Sequence, residues 1–301
     1  MRPPIEVIIN AGSGSVLGEE TSQSLRERFI AYGIRANVHL AKTGAEIELL
    51  ARHAVEGDAN IVIAGGGDGT ISTVAAEVAK AGRILGVLPL GTLNNFSKDL
   101  GIPQDVRGAV RLIANGETRL IDLAEVNGRI FINNSSIGLY PKIVIHREEQ
   151  QRLGSGKWNA AFWAALRMFR LSPFLKVNIE LAGRQFQRKT PFVFVGNNDY
   201  EMNLYNIGRR PALDNGKLSV YFLHRSGRWG VMLLLFHTAF GKLKQWKDFE
   251  EVNTDEVIIQ TRKKRLHVAF DGEVRIMETP LRYKILPGAL RVIAPAGEGP
   301  A

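Results

Sequence analysis

Four glycines surround one carboxylate and one hydroxyl in the segment Gly-Gly-Gly-Asp-Gly-Thr, residues 65–70. A bend that lacks side chains lets main-chain N–H groups approach an anion closely. The segment follows the wholly apolar run 61–64, which is typical of a buried strand, and it opens a helical stripe whose positive end faces the same point. Asp68 would repel a bare phosphate, so we expect Mg²⁺ beside it, held directly or through water. The bend predicts a phosphate site, and a tight strand-to-helix turn is the alternative.

Two other turns follow predicted strands. The first, 10–15, has a weaker form of the same glycine pattern, but Gly18 falls one position late for a dinucleotide fingerprint and no P-loop lysine follows. The second, 89–96, offers Thr92, Asn94 and Asn95 as neutral donors and acceptors. Ligands of open parallel sheets bind beyond the carboxyl ends of the strands, so we expect this loop to converge on 65–70. An ordinary polar turn fits the second segment equally well.

A third group of polar residues, Asp271-Gly272-Glu273, follows the predicted strand 266–270 near the C-terminus. Two acids around a glycine suit a general base together with a metal partner or an orienting group. Taken alone, the segment is better explained as a surface hairpin turn.

The order of strand and helix patterns divides the chain in two. Residues 1–122 alternate apolar strands with helical stripes, which predicts an α/β domain with a doubly wound parallel sheet. Residues 123–282 show hairpin signals at Asn127-Gly128 and Ala182-Gly183, which predict an antiparallel β-rich domain. Helical spacing interrupts this domain at 157–171 and 229–240. Two final strands, 281–286 and 290–293, either finish this domain or return to the first, which 283–301 would then complete.

Composition narrows the class of function. The net charge of +9 over 301 residues favours an anionic partner, which is a nucleotide, a nucleic acid or an anionic membrane. The absence of cysteine excludes disulfides and thiolate chemistry, and six scattered histidines without an H-E-x-x-H pair do not predict a zinc hydrolase. We expect a cytoplasmic protein, because no export signal is found. The longest apolar run, 231–236, is far below the ~20 residues of a membrane span, so we expect peripheral membrane contact.

Taken in order, G-G-G-D-G-T, P-L-G-T-x-N-N-F and D-G-E resemble the diacylglycerol kinase catalytic-domain family, which includes sphingosine and ceramide kinases and soluble bacterial lipid kinases. The resemblance spans nearly the whole chain. It implies a nucleotide-binding α/β domain, a β-rich lipid domain and an active site in the cleft between them. It also implies transfer of the γ-phosphoryl group of ATP to a hydroxyl of diacylglycerol or a similar lipid, with Mg²⁺.

The resemblance assigns roles to particular residues. Asp68 and Asp122 would organise the active-site Mg²⁺, and Glu273 would act as the base, with Asp271 beside it in the catalytic group. The residues that would hold or shape the nucleotide pocket are Asn10, Thr43, Gly66, Gly67, Asp68, Gly69, Thr70, Thr92, Asn94 and Asn95.

The sequence departs from the family pattern at two places. Ala11 and Ser15 stand where many members have the proline and lysine of N-P-x-S-G-K, which puts one phosphate contact in doubt. Some bacterial members hold a second, structural Mg²⁺ at an Asp-Asp-Gly segment. Here Asn215 replaces the expected carboxylate, so this site depends on Asp214 or is absent.

Several alternatives stay open. An enzyme similar to NAD kinase would share the G-G-D-G-T motif, although P-L-G-T-x-N-N-F favours a lipid kinase. A non-catalytic lipid-binding or regulatory protein could keep the same fold.

We expect no nucleic acid partner, since no DNA- or RNA-binding motif accompanies the positive charge. The basic, aromatic segment 157–171 and the run Arg262-Lys263-Lys264-Arg265 suit either an anionic membrane surface or ordinary protein contacts. The lipid, ATP or GTP as donor, and a homodimeric state are left open.

Overall fold

The structure is a computed structural model that describes residues 4–12, 21–138, 141, 174–181, 183–201, 209–223 and 249–296. These residues fall into two compact units. The first, the α/β unit, draws its residues from 1–123, 211–215 and 286–301, and the second, the β unit, from 124–210 and 216–285. The short return Pro211–Asn215 is a feature that the sequence analysis does not anticipate. The helical segments predicted at 157–171 and 229–240 lie outside the described residues.

A parallel sheet forms the centre of the α/β unit, with the strand order β2–β1–β3–β4. Its elements are β1 Ile5–Asn10, α1 Thr21–Ile30, β2 Ala36–Ala41, α2 Gly44–Glu56, β3 Ile61–Gly66, α3 Asp68–Lys80, β4 Ile84–Pro89, α4 Asn95–Asp99, α5 Val106–Asn115 and the start of β5 Glu117–Val126. Helix α2 packs against α3, and α1 packs against α5. The helices therefore form two layers, as the predicted doubly wound sheet requires.

Burial explains why these residues form these elements. In β3, Val62, Ile63 and Ala64 have no exposed surface, as expected for a strand covered on both faces. Helix α5 begins where the Asp105 carboxylate accepts the Gly108 N–H at 2.7 Å, which supplies an acceptor for one of the N–H groups that a helix start leaves unpaired. The apolar stripes of the sequence thus mark the faces that pack on the sheet.

The β unit contains two antiparallel sheets. One has the order β12–β11–β10–β7–β14–β15, and the other includes β13, β8 and β9 together with residues 281–285 of β16. The strands are β6 Arg129–Phe131, β7 Asn134–Gly138, β8 Leu175–Leu181, β9 Arg184–Thr190, β10 Phe192–Asn197, β11 Leu218–Leu223, β12 Phe249–Thr254, β13 Glu256–Thr261, β14 Arg265–Phe270, β15 Glu273–Glu278 and β16 Leu281–Ala294. Alternate side chains of both sheets form one apolar core, for example Val177, Val195, Val220 and Val268.

The predicted fold class is confirmed: a parallel α/β unit precedes an antiparallel β-rich unit. The predicted hairpin at Asn127-Gly128 forms, because Val126 pairs with Arg129, and at the second predicted hairpin Leu181 pairs with Arg184. The two predicted C-terminal strands form one continuous strand, β16, which contributes residues to both units. Its first residues pair antiparallel with β13, and Arg291 and Val292 pair parallel with β4.

Candidate nucleotide site and the Asp271–Glu273 turn

Three loops leave the same edge of the α/β sheet. They follow the carboxyl ends of β1, β3 and β4, at Asn10, Gly66 and Pro89. Strand β1 lies between β2 and β3, and the chain leaves β1 and β3 toward helices of opposite layers. This is the topological switch point, where open α/β sheets bind their ligands. The topology therefore brings together the loops that the sequence analysis singles out.

The glycines of the 65–70 bend serve close packing within the protein. A Cβ on Gly66 would come within 2.7 Å of the Thr70 hydroxyl oxygen, and a Cβ on Gly91 would overlap the Cα of Gly67. The bend after β3 and the loop after β4 therefore touch backbone to backbone. Gly67 and Gly69 stay partly exposed, next to the first-turn N–H groups of α3 that no intrahelical carbonyl can accept.

The Asp68 carboxylate joins these two loops. Its Oδ2 accepts the main-chain N–H of Asn95 at 3.1 Å, and its Oδ1 accepts that of Phe96 at 2.9 Å. Asp68 thus stands at the start of α3 but supplies acceptors for the start of α4. This role is invisible in sequence, because nothing in the spacing of 68 and 95 indicates a hydrogen bond.

Asn10 makes the corresponding link from β1. Its Nδ2 donates to the Thr70 hydroxyl oxygen at 3.0 Å, and its Oδ1 accepts the Gly12 N–H at 2.9 Å. The structure therefore places Asn10 and Thr70 together at the bend. Thr43, another residue assigned by the resemblance, caps α2 by accepting the Glu46 N–H at 3.2 Å.

The loop after β4 is shaped by a left-handed residue. Asn94 has a φ of 52° and donates from Nδ2 to the Pro89 carbonyl at 3.3 Å. Its Oδ1 is buried and lacks a hydrogen-bond partner among the described residues. Thr92 and Asn95 are exposed beside it. Thr92 and Asn95, and not this buried amide oxygen, are therefore the polar side chains of the loop that a ligand could reach.

The two predicted ligands of an active-site Mg²⁺, Asp68 and Asp122, lie in different surroundings. Asp68 is half-buried, and its two oxygens accept the main-chain N–H groups of Asn95 and Phe96. Asp122 is buried, and its Oδ1 accepts the Gly288 N–H at 2.8 Å. Within the described ranges, no three His, Asp or Glu side chains cluster as a metal site. Asp68 fits a Mg²⁺ that binds mainly through nucleotide phosphates and water.

At the segment considered for a structural metal, Asp214 pairs with an arginine. Its carboxylate lies 2.9 Å from the Arg119 guanidinium, and the neighbouring Leu213 carbonyl accepts the Asp122 N–H at 2.7 Å. These contacts fasten the Pro211–Asn215 return within the α/β unit. The carboxylate on which a structural Mg²⁺ would depend is therefore paired with a cation of the protein itself, and the metal site stays a prediction.

Asp271 and Gly272 form the two-residue turn between β14 and β15, with φ values of 48° and 87°. The Asp271 carboxylate is buried and accepts the N–H groups of Ile132, Asn133 and Asn134 at 2.7–3.2 Å. Those three main-chain N–H groups converge on one anion, which favours a positioning role for Asp271.

A buried arginine completes this region. Arg210 is 1% exposed and donates to the Ile132 carbonyl and to Asn133 Oδ1, both at 2.6 Å. The loop of Ile132 and Asn133 is thus held by Asp271 from one side and Arg210 from another. No sequence motif marks Arg210, since it is one of 39 basic residues and stands in an irregular segment.

Glu273 differs from Asp271 in its surroundings. Its side chain is 42% exposed, and Oε2 lies 3.4 Å from Nη2 of Arg275 on the same strand. Glu273 is therefore the accessible carboxylate of the turn, whereas Asp271 is buried. Elsewhere in the β unit, burial raises the pKa of the Tyr221 and Tyr283 hydroxyls.

Family models match both parts of the chain. The model described as the diacylglycerol kinase catalytic domain matches residues 4–126, and the model described as the YegS C-terminal NAD kinase beta sandwich-like domain matches residues 144–294. Together with the fold and the loops above, these matches define a protein of the kinase class. The chain belongs to the diacylglycerol kinase catalytic-domain family.

Relatives named diacylglycerol kinase agree with this, and solved structures share the fold. A diacylglycerol kinase of Staphylococcus haemolyticus is 26% identical over 75% of this chain and 69% of its own. A diacylglycerol kinase of Staphylococcus aureus (strain NCTC 8325 / PS 47) is 27% identical over 75% and 72%. The crystal structure of a diacylglycerol kinase from Bacillus anthracis str. Sterne covers 98% of both chains, with a TM-score of 0.69 and 18% identity. No helix within the described residues is long and apolar enough to cross a bilayer.

We predict that Asp68→Ala lowers the free energy of unfolding by about 1–2 kcal/mol, because the Asn95 and Phe96 N–H groups lose their acceptor. Asp68→Asn retains one amide oxygen and should lose about half as much. Urea denaturation of both variants measures this. Equal stability of wild type and Asp68→Ala would contradict the bridging role of the carboxylate.

We predict that Asp271→Ala costs about 2–4 kcal/mol of stability, since it leaves three main-chain N–H groups without their carboxylate. Glu273→Ala, two residues along the same turn, is the matched control and should change stability by less than about 0.5 kcal/mol because its side chain is half-exposed. Similar losses in the two variants would argue against a special role for Asp271.

We predict that removing divalent metal does not change the melting temperature of the nucleotide-free protein, because Arg119 already pairs with Asp214. The measurement compares thermal unfolding in EDTA and in millimolar Mg²⁺. A lower melting temperature in EDTA that Mg²⁺ restores would show that a structural metal exists after all.

Proposed function

We propose that this protein is an ATP-dependent lipid kinase that transfers the γ-phosphoryl group to a hydroxyl of diacylglycerol or a similar lipid. One observation carries the proposal: Asn10, Thr70 and Asp68 join the loops after β1, β3 and β4 at the switch point of the α/β sheet. A site of this form suits nucleotide phosphates because main-chain N–H groups and a helix N-terminus supply the positive potential.

Different loops of the α/β unit would bind different parts of the nucleotide. The bend at Gly66–Thr70 would bind phosphate oxygens through N–H groups, and the loop of Thr92, Asn94 and Asn95 would contact the rest of the nucleotide. Asp68 would orient a Mg²⁺ through water while it holds α4 in place. When bound, the metal would neutralise charge on the phosphates. The contribution of the protein to phosphoryl transfer is mainly positioning and electrostatic stabilisation.

The turn of the β unit would supply the base. In the proposed reaction the lipid hydroxyl oxygen forms a bond to the γ-phosphorus, the bond from that phosphorus to the ADP oxygen breaks, and the hydroxyl proton passes to Glu273. Asp271 would keep the turn rigid, because its own carboxylate is occupied by three main-chain N–H groups. Arg275 would hold the Glu273 carboxylate in one orientation.

The deciding experiment incubates purified protein with γ-labelled ATP and Mg²⁺ in two parallel reactions, one with a total lipid extract and one with NAD. We expect label in a lipid fraction, and mass spectrometry of that fraction identifies the acceptor. Label in NAD alone would support an enzyme similar to NAD kinase. Lipid binding without turnover of any lipid class or of NAD would support a non-catalytic protein.

We predict that Glu273→Gln lowers kcat for the lipid by about 10²-fold or more and leaves the KM for ATP nearly unchanged, because it removes only the proton acceptor. Steady-state kinetics at saturating lipid measure both constants. Arg275→Gln, on the same strand, is the comparison variant and should reduce kcat much less. A normal kcat in Glu273→Gln would remove Glu273 from the mechanism.

A further inference from the structure

Two rows of polar side chains cross the outer face of the sheet formed by β9, β8 and β13. In the first row, Lys176 of β8 lies directly opposite Lys189 of β9. On the other side of β8, Thr261 is the last residue of β13 and lies opposite Val177, so the next residue, Arg262, lies beside Lys176. The second row consists of three carboxamides, because Asn178 pairs with Gln187 on one side and with Gln260 on the other. All of these residues are exposed. The register thus places three cations beside three amides on one face.

The cation row is unusual for a sheet. Like charges directly opposite on paired strands repel, whereas opposite charges attract. Among the described residues no carboxylate pairs with Lys176, Lys189 or Arg262, although Lys189 lies over the Phe174 ring at 5.7 Å. Three neighbouring cations without a paired carboxylate in the described part of the chain favour an anion supplied from outside.

The turn after β13 extends the same charge. Lys263 and Lys264 are exposed, and Thr261 Oγ1 accepts the Lys263 N–H at 3.2 Å while the Thr279 hydroxyl donates to the Lys263 carbonyl at 2.8 Å. These bonds fix the turn, so the cations stand on a rigid support. Arg265, the next basic residue, is already paired with Glu278 at 3.1 Å. The basic face therefore consists of five residues: Lys176, Lys189, Arg262, Lys263 and Lys264.

The shape of the basic face indicates the kind of anion. The two rows line an open concavity of roughly 600 Å³, and three strands spread the cation row over about 10 Å. Strand β8 is paired on both sides, so its main-chain N–H groups are used within the sheet and only side-chain ends can bind. A broad patch of side-chain cations suits a surface that carries many phosphates better than one small anion.

We propose that the basic face is a docking surface for the phosphate-bearing headgroups of an anionic bilayer. Clusters of four to eight Lys and Arg residues bind such membranes, because each cation near the surface contributes to attraction. The amide row would donate hydrogen bonds to the same phosphates. This surface would serve the lipid kinase proposed above, but it is tested by binding rather than turnover, so failure of either proposal is distinguishable from failure of the other.

The test compares wild type with the triple variant K176Q/K189Q/R262Q in co-sedimentation with vesicles, using the full chain. One vesicle set is neutral phosphatidylcholine and the other contains anionic phosphatidylglycerol. We expect the variant to bind anionic vesicles on the order of 100-fold more weakly, about fivefold per removed cation. Binding to neutral vesicles should not change, and the melting temperature should stay equal or rise because repulsion is removed.

A matched control, R28Q/R107Q/R111Q, removes the same net charge from exposed positions of α1 and α5. An equal loss in this control would overturn the proposal, since net charge alone would then explain binding. Protection of the wild type from heat by inorganic phosphate, without vesicle binding, would reassign the face to a soluble anion. Tighter binding to duplex DNA or RNA than to anionic vesicles, lost in the same variant, would also overturn it.

Discussion

The hydrogen bonds from Asn95 and Phe96 to the Asp68 carboxylate tie the loop after β4 to the start of α3. Gly91 and Gly67 allow these two segments to touch, and Asn10 adds the loop after β1 through Thr70. In the function proposed above, this rigidity would favour the binding of a flexible polyphosphate, because less of the protein would have to become ordered on binding. A similar device recurs at the Asp271 turn, where a buried carboxylate accepts several main-chain N–H groups.

The sequence predicts the fold well where apolar periodicity is strong. Strands β1, β3 and β4 follow from apolar runs, and β2 follows from the alternation of Ala36, Val38 and Leu40. Helices α2, α3 and α5 follow from stripes such as Ile47, Ala51 and Ala54. The sequence does not predict elements that are very short, that alternate weakly or that contain a turn-like pair of residues. Helix α4 has only five residues, and its start depends on an acceptor 27 positions away. Strand β15 alternates weakly, and β16 contains a Pro-Gly pair that looks like a break between two strands.

The candidate site is predicted in its location and only partly in its detail. Dense glycine at a strand end identifies the bend, yet the structure explains Gly66 and Gly91 by contacts within the protein. The contributions of Arg210 and Arg119 depend on long-range contacts, which no local spacing encodes. Asp271 illustrates the same limit: the turn forms as the hairpin interpretation expects, its contacts with residues 132–134 are long-range, and its catalytic role stays a prediction.

The most direct test of the account is hydrogen exchange of the full chain with and without Mg²⁺ and ATP, measured peptide by peptide. We expect slower exchange in the peptides that contain residues 65–70 and 91–96, and no change in those that contain 176–189. Slower exchange confined to other parts of the chain, with 65–70 unaffected, would contradict the claim that the tied loops bind the nucleotide.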